Sequence, residues 1–393
     1  MKTRLRLAVL SSALTAVLAS FGTGAHAQET IRIGLVAPFS GPYADYGKQM
    51  EAGMKVYMRQ HGGSVAGKKV EILVRDTSGA NPEIAKRLSQ ELVAREKVDF
   101  LAGYGFTPDA LAAAPIAQQS KTPLVILNAA GSVIPSRSAY VARVSMTIAQ
   151  NSAPMATWAL KNGIRKVVTL VADFNPGVDA EKAFKSTFVA GGGQVVETIR
   201  VPLRSPELGP YIQRLKDAKP DAVFLWVPSG EHTISFMKNY RERGLAAAGI
   251  KIIATGDLTD EQVLPAMGDA ALGVITTFHY SAAHDSALNK AFVKGFTEVA
   301  PQSGAPNFMG AAAYDGMAAI YSVAKSLNGK IDGDKAMALL KGMKLDSPRG
   351  PITIDAQTRD IVQTVYVRKV EKVNGKLANV EFDKFLNVKD PGL

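Results

Sequence analysis

The chain has 393 residues, 47% of them hydrophobic and 21% charged, with a formal net charge of +11. That composition excludes a disordered or low-complexity chain and supplies core for two or three domains. The absence of cysteine also excludes disulfides, thiolate metal sites, cysteine nucleophiles and a lipid-modified cysteine anchor.

Lys2, Arg4 and Arg6 open the chain, residues 7–21 are apolar, and Ala25-His26-Ala27 has small-x-small form. This is the pattern of a secretory signal peptide spanning residues 1–27 and cut after Ala27. The apolar run carries Ser11, Ser12, Thr15 and Ser20 and is short for a membrane span. An exported protein is therefore expected. Its basic residues sit in pairs such as Lys68-Lys69 and Lys86-Arg87 among interleaved acids. That reads as a mildly basic solvated surface, and no nucleic-acid partner is expected.

After the leader, the apolar pattern predicts a strand over 31–37. A helix follows whose face carries Met50, Gly53, Met54, Tyr57 and Met58. A strand over 70–75 leads to Asn81, an N-cap residue followed by Pro82 and Glu83. Strands over 99–102 and 124–127 flank a helix over 108–120. Short apolar strands alternating with helices predict a parallel sheet covered on both faces. The pattern restarts near Arg165. Strands are predicted over 166–171, 194–201, 222–227, 251–254 and 273–278, with helices over 180–190, 206–218 and 232–243. Beyond Tyr280, helices over 286–300, 307–326 and 334–342 and strands over 351–354 and 362–369 are too small for a third domain. They are expected to return and complete the first two.

In open parallel sheets, ligands bind outside the carboxyl ends of the strands. The loops there, including 39–47, 103–109, 128–132, 173–177, 226–232, 255–260 and 278–284, are rich in aromatics. They hold Tyr43, Tyr46, Phe106, Phe174, Trp226, Phe278 and Tyr280, with Thr107, Gly131, Ser132 and Ser229 beside them. Helix N-termini after 103–108 and 128–132 would offer N–H groups to a carboxylate, and the rings would bury an apolar body.

Other motifs fail on context. Gly62-Gly63-Ser64-Val65-Ala66-Gly67-Lys68-Lys69 ends in Lys where a phosphate loop needs Ser or Thr, and it follows a helix instead of a strand. Gly103-Tyr104-Gly105 lacks the third glycine of a dinucleotide fingerprint. His61, His232, His279 and His284 have no metal-ligand spacing, and no Gly-x-Ser-x-Gly elbow occurs. Asp315, in an apolar helix, reads as a satisfied structural carboxylate. No enzyme activity, cofactor or metal is expected.

The run Ile33-Gly34-Leu35-Val36-Ala37-Pro38-Phe39-Ser40-Gly41 through Tyr46-Gly47, with Asn128-Ala129-Ala130-Gly131-Ser132 and Tyr314-Asp315, resembles the leucine/isoleucine/valine-binding protein family. These are type I periplasmic solute receptors of ABC importers, and the resemblance covers essentially the whole mature chain. It implies two doubly wound α/β lobes joined by a three-stranded hinge, residues 28–147 with 279–350 and residues 148–278 with 351–393. It implies a periplasmic protein, expected to be a monomer, that closes on its ligand and docks on an inner-membrane ABC permease. Carried over residue by residue, Thr107 would hold the ligand carboxylate, helped by the backbone around Ala129 and by Asn128 and Ala130. Gly131 stands where the family has threonine, and Ser132 is the substitute hydroxyl. Asp257 aligns with the family's ammonium-pairing acid. Pro176 aligns with an aromatic wall, which Phe174 would replace; Tyr46, Phe106, Trp226, Ser229 and Tyr280 complete the candidate site. The expected ligand is a hydrophobic amino acid or an aromatic carboxylate. A sensory role on the same fold, or an exported hydrolase, are the alternatives.

Overall fold

The computed structural model describes residues 29–203 and 207–392. The leader and its cleavage site lie outside them. Two parallel-cored sheets carry the chain. The first has six strands in the order Ser64–Val65, Lys68–Asp76, Thr30–Ala37, Phe100–Gly103, Leu124–Ile126 and Val141–Arg143. Only Ser64–Val65 runs antiparallel, so the Gly62–Lys69 run is a hairpin and not a phosphate loop. Ile33, Leu35 and Val36 on the central strand are wholly buried, as helices on both faces require.

The second sheet has nine strands. Its parallel part comprises Gln194–Val201, Lys166–Ala172, Ala222–Trp226, Lys251–Thr255 and Ile275–Phe278. Ile361–Val373 joins Ile275–Phe278 antiparallel and carries both Ile352–Ile354 and a long partner, Lys376–Val388.

Local chemistry sets the helices. Asn81 accepts from the Ile84 N–H at 3.2 Å and Pro82 follows, fixing the start of Pro82–Ala94. Helices Ala44–His61 and Phe308–Ser326 cross so closely that a β-carbon on Gly53 would stand 2.1 Å from the Gly310 carbonyl oxygen. Glycine is thus required there by space, and the crossing ties the late helix to the first sheet. On the other side, Phe184 of Asn175–Ala190 stacks on Phe224 at 4.0 Å.

Three passages join the sheets, at 143–148, 278–287 and 340–344, the last followed by the short strand Lys344–Leu345 of the second sheet and the turn to Ile352. Arg349, in that turn, ties it to the first passage. Its guanidinium meets Asp315 at 2.8 Å with both side chains fully buried, and donates to Ser145 O at 2.8 Å and Gln363 Oε1 at 2.7 Å. A buried pair with every donor placed fixes geometry more than it adds stability. Asp315 is thus structural, as the sequence suggested, though only Oδ2 is satisfied: its buried Oδ1 has no hydrogen-bond partner.

Five features depart from the sequence reading. Strand Val141–Arg143 and helix Ile148–Lys161 were not foreseen; the strand is three residues long and the helix contains Pro154. Helix Asn175–Ala190 starts five residues before the expected 180, which puts Pro176 and Gly177 in its first turn. The segment after Asn128–Ser132 makes only a single tight turn at Pro135–Arg137, so no helix N-terminus arises there. Lys376–Val388 is an edge strand whose pairing with its neighbour is broken by irregularities.

Candidate functional site

Between the sheets lies a tight cavity of about 30 Å³, well below the usual size of a ligand site. Its first-lobe wall is made by Tyr46, Gly105, Phe106, Thr107, Asn128 and Ala130. Its second-lobe wall is made by Phe174, Pro176, Trp226, Pro228 and Asp257, and Met146 enters from the first crossover.

Each wall is a strand end followed by a helix start. Phe106 is the N-cap of Thr107–Ser120, and Phe174 is the N-cap of Asn175–Ala190. A phenylalanine has no side-chain acceptor, and neither helix has a side-chain cap bond. Two helix N-termini with their partial positive charge are therefore left to the cavity. One of them is the expected terminus after Gly103–Pro108. The other replaces the terminus expected after Asn128–Ser132.

The rings form two groups. Tyr46 stacks on Phe106 with centroids 5.5 Å apart, and Tyr43 meets both edge-on. Phe174 lies 5.4 Å from Trp226 across the second wall. Both groups line the same narrow slot, whose walls are largely aromatic.

Polar groups are few and specific. Thr107 Oγ1 accepts from the Gly131 N–H at 3.0 Å, so its own proton is what it offers the cavity. That approach needs glycine: a β-carbon on Gly131 would sit 2.7 Å from Thr107 Cγ2. The residue that displaces the family's threonine thus buttresses Thr107. Asn128 donates to Gly105 O at 2.8 Å, and its Oδ1 is a buried acceptor without a protein partner. Asp257 Oδ2 accepts from Thr255 Oγ1 at 2.7 Å and Trp226 Nε1 at 3.2 Å. Burial pushes the Asp257 carboxyl up to about 6, against the lowering effect of those bonds. Behind it Asp260 is also raised, by burial and by Glu261, while accepting from Ser229 Oγ at 2.7 Å and Asn307 Nδ2 at 3.1 Å.

The structure brings Tyr46, Phe106, Thr107, Asn128, Ala130, Phe174, Trp226 and Asp257 to one cavity. It places the other four candidates elsewhere. Ala129 is buried, with its N–H given to Tyr104 O at 2.9 Å. Ser132 points to Asp390, donating at 3.0 Å. Ser229 accepts from Tyr46 through its carbonyl at 3.1 Å and gives its hydroxyl to Asp260, so it joins the lobes behind the wall. Tyr280 is fully buried in the hinge, donating to Asn289 Oδ1 at 3.2 Å. Met146 and Pro228 were missed; a methionine between a strand and a helix carries no sequence signal for a ligand. Among the described residues, no group of three or more His, Cys, Asp or Glu could hold a metal ion.

Comparison with known proteins agrees with this architecture. Residues 30–376 match the family model described as periplasmic binding protein. The Leu/Ile/Val-binding protein homolog 6 of Brucella melitensis biotype 1 is 46% identical over 384 residues, 97% of this chain and 98% of its own. A solute-binding protein of an ABC transporter from Rhodopseudomonas palustris BisB5, in complex with 3,4-dihydroxybenzoic acid, is 51% identical with a TM-score of 0.89. The match covers 92% of this chain and 99% of that one. A second R. palustris solute-binding protein, in complex with 4-hydroxybenzoate, is 45% identical with a TM-score of 0.91, over 93% of this chain and 99% of that one. A ring-lined cleft between two α/β lobes and a family match over residues 30–376 lead to one statement: this chain belongs to the periplasmic binding proteins, as a type I solute-binding component of an ABC transporter.

Proposed function

We propose that the protein captures a small aromatic carboxylate bearing a ring hydroxyl, of the hydroxybenzoate kind, in the periplasm and delivers it unchanged to its permease. One observation carries the reading. Two uncapped helix N-termini, each begun by a phenylalanine, meet a slot whose single ionisable wall carboxylate, Asp257, already holds two donors. Thr107 and the helix starts suit the ligand carboxylate. The rings suit an aromatic body, and burying about 100 Å² of it contributes roughly 2.5 kcal/mol. Asp257 and the open Asn128 Oδ1 suit a phenolic O–H. Structural relatives holding 3,4-dihydroxybenzoic acid and 4-hydroxybenzoate support the same class.

A second reading, a hydrophobic amino acid, is favoured by Asp257 as an ammonium partner and by the curated relatives' names. Calorimetric titration with 4-hydroxybenzoate, 3,4-dihydroxybenzoate, leucine and phenylalanine decides between them, with Trp226 fluorescence as a second readout. The expected result is saturable binding of the hydroxybenzoates and none of leucine. Leucine binding with silent hydroxybenzoates would overturn the proposal. Product analysis after long incubation should return the bound acid intact, and sedimentation should give a monomer.

A further inference from the structure

Ser132 belongs to the same first-lobe loop as Ala130 and Gly131, yet its polar groups turn away from the cavity. Its backbone N–H donates to Asp179 Oδ2 at 3.2 Å, on the second-lobe helix that starts at Asn175. Its hydroxyl donates to Asp390 Oδ1 at 3.0 Å, just beyond the last strand of the second sheet. The same Asp390 oxygen accepts from Thr147 Oγ1 at 3.1 Å, at the first crossover. One first-lobe residue is therefore gripped by two carboxylates from the second lobe.

The grip bears on the ligand wall. Arg143 donates to Gly131 O at 2.6 Å, and Gly131 N–H donates to Thr107 Oγ1 at 3.0 Å. Ser132 is thus covalently next to the residue that orients Thr107. Parting the lobes separates Ser132 from Asp179 and strips both carboxylates of donors they hold in the closed form. A bond that exists only when the cleft is shut favours the shut state by its full value.

We propose that Ser132, Asp179 and Asp390 form a latch that fastens the closed lobes and holds the Gly131–Thr107 buttress, acting as positioning residues that never touch the ligand. The proposal rests on the receptor reading only through lobe closure, not on the identity of the ligand.

Because the chain has no cysteine, Gln90→Cys and Glu242→Cys, exposed and on opposite lobes, can carry two spin labels for an interlobe distance measurement. The latch is tested with Ser132→Ala, Asp179→Ala and Asp390→Ala. Stopped-flow association and dissociation use 4-hydroxybenzoate, or leucine if the wild-type protein binds only that; the distance distribution is also recorded without ligand. Dissociation should quicken about tenfold in each variant, with association within about twofold, because lost interface bonds are read mainly in the off-rate. The closed-distance population should fall in parallel, and Ser132→Thr should restore both. Failure of 4-hydroxybenzoate to bind at all sinks the ligand reading and leaves this test standing. Unchanged dissociation and distances in Asp179→Ala and Asp390→Ala would overturn the latch. So would equal slowing of association with a lowered Tm, which marks general damage.

Discussion

The two walls of the cavity share a backbone plan and differ in charge. Each is a strand end, a phenylalanine N-cap and an uncapped helix start. The first-lobe wall adds Thr107 and Asn128 and no acid, whereas the second adds Trp226 and the buried Asp257 with Asp260 behind it. The difference gives the ligand a direction. Its anionic end is drawn to the wall without carboxylates, and its hydrogen-bond donor to the wall that has them.

The largest break in that picture should come from Trp226→Ala. The indole is both a face of the slot and a donor to Asp257. Buried aromatic anchors of this kind carry about 3 kcal/mol, so hydroxybenzoate affinity should drop roughly 150-fold by calorimetry. A drop under tenfold would mean that the second wall contributes polarity alone. Thr107→Val comes next. It removes one charge-assisted bond to the carboxylate and the acceptor for Gly131 N–H, so affinity should fall about 10- to 30-fold, with Thr107→Ser recovering most of it. Equal losses for a ligand ester and a ligand acid would show that the first wall does not read the carboxylate.

Much of this was legible in the sequence because the βα rhythm is local. Strand–loop–helix junctions rich in aromatics pointed to Tyr46, Phe106, Thr107, Phe174 and Trp226, since loops at carboxyl strand ends face the cleft wherever the sheet is parallel; Asn128, Ala130 and Asp257 came from the family resemblance. What was not legible depends on long-range fit. Ser132 meets a residue 258 positions away, so its hydroxyl reads as a ligand group until the C-terminal strand is placed. Lys376–Val388 is a half-exposed edge interrupted by Asn379 and Asp383, so its alternation is weak. Pro176 and Gly177 read as loop because both are helix breakers in an interior, yet proline suits a first turn.

A smaller change separates the two ligand classes. Asp257→Asn keeps the shape of the side chain and an oxygen for Trp226 and Thr255. An uncharged phenol bonds to either group, so hydroxybenzoate affinity should shift by less than about threefold, whereas an ammonium ligand would lose at least about tenfold. Titration of the variant with 4-hydroxybenzoate checks this, and a large loss returns the amino-acid reading to first place.

The smallest effect follows from the same carboxylate without any ligand. Burial raises Asp257 from 3.8 to about 6, and Asp109, buried in the first turn of Thr107–Ser120 with both oxygens unpartnered, from 3.8 to about 7. Between the unfolded and folded values the folded chain holds protons that the unfolded chain has released. The stability these two carboxyls contribute must then fall as pH rises through that window and level off above it. Asp76, Asp221 and Asp355 are shifted the other way by hydrogen bonds and neighbouring lysines, despite some burial, so their contribution is lost only as pH drops below about 4. The stability contributed by His232 and the wholly buried His279, whose imidazole pKa values burial lowers, rises over part of the same range. The effect of Asp257 is therefore read as a difference: the calorimetric Tm of the protein less that of Asp257→Asn should fall as pH rises from about 4 to about 6 and level off above. A difference that does not change between about pH 4 and pH 7 would mean that the second wall is ionised at no cost to the fold. Its carboxylate would then stand ready for a cation and not for a phenol.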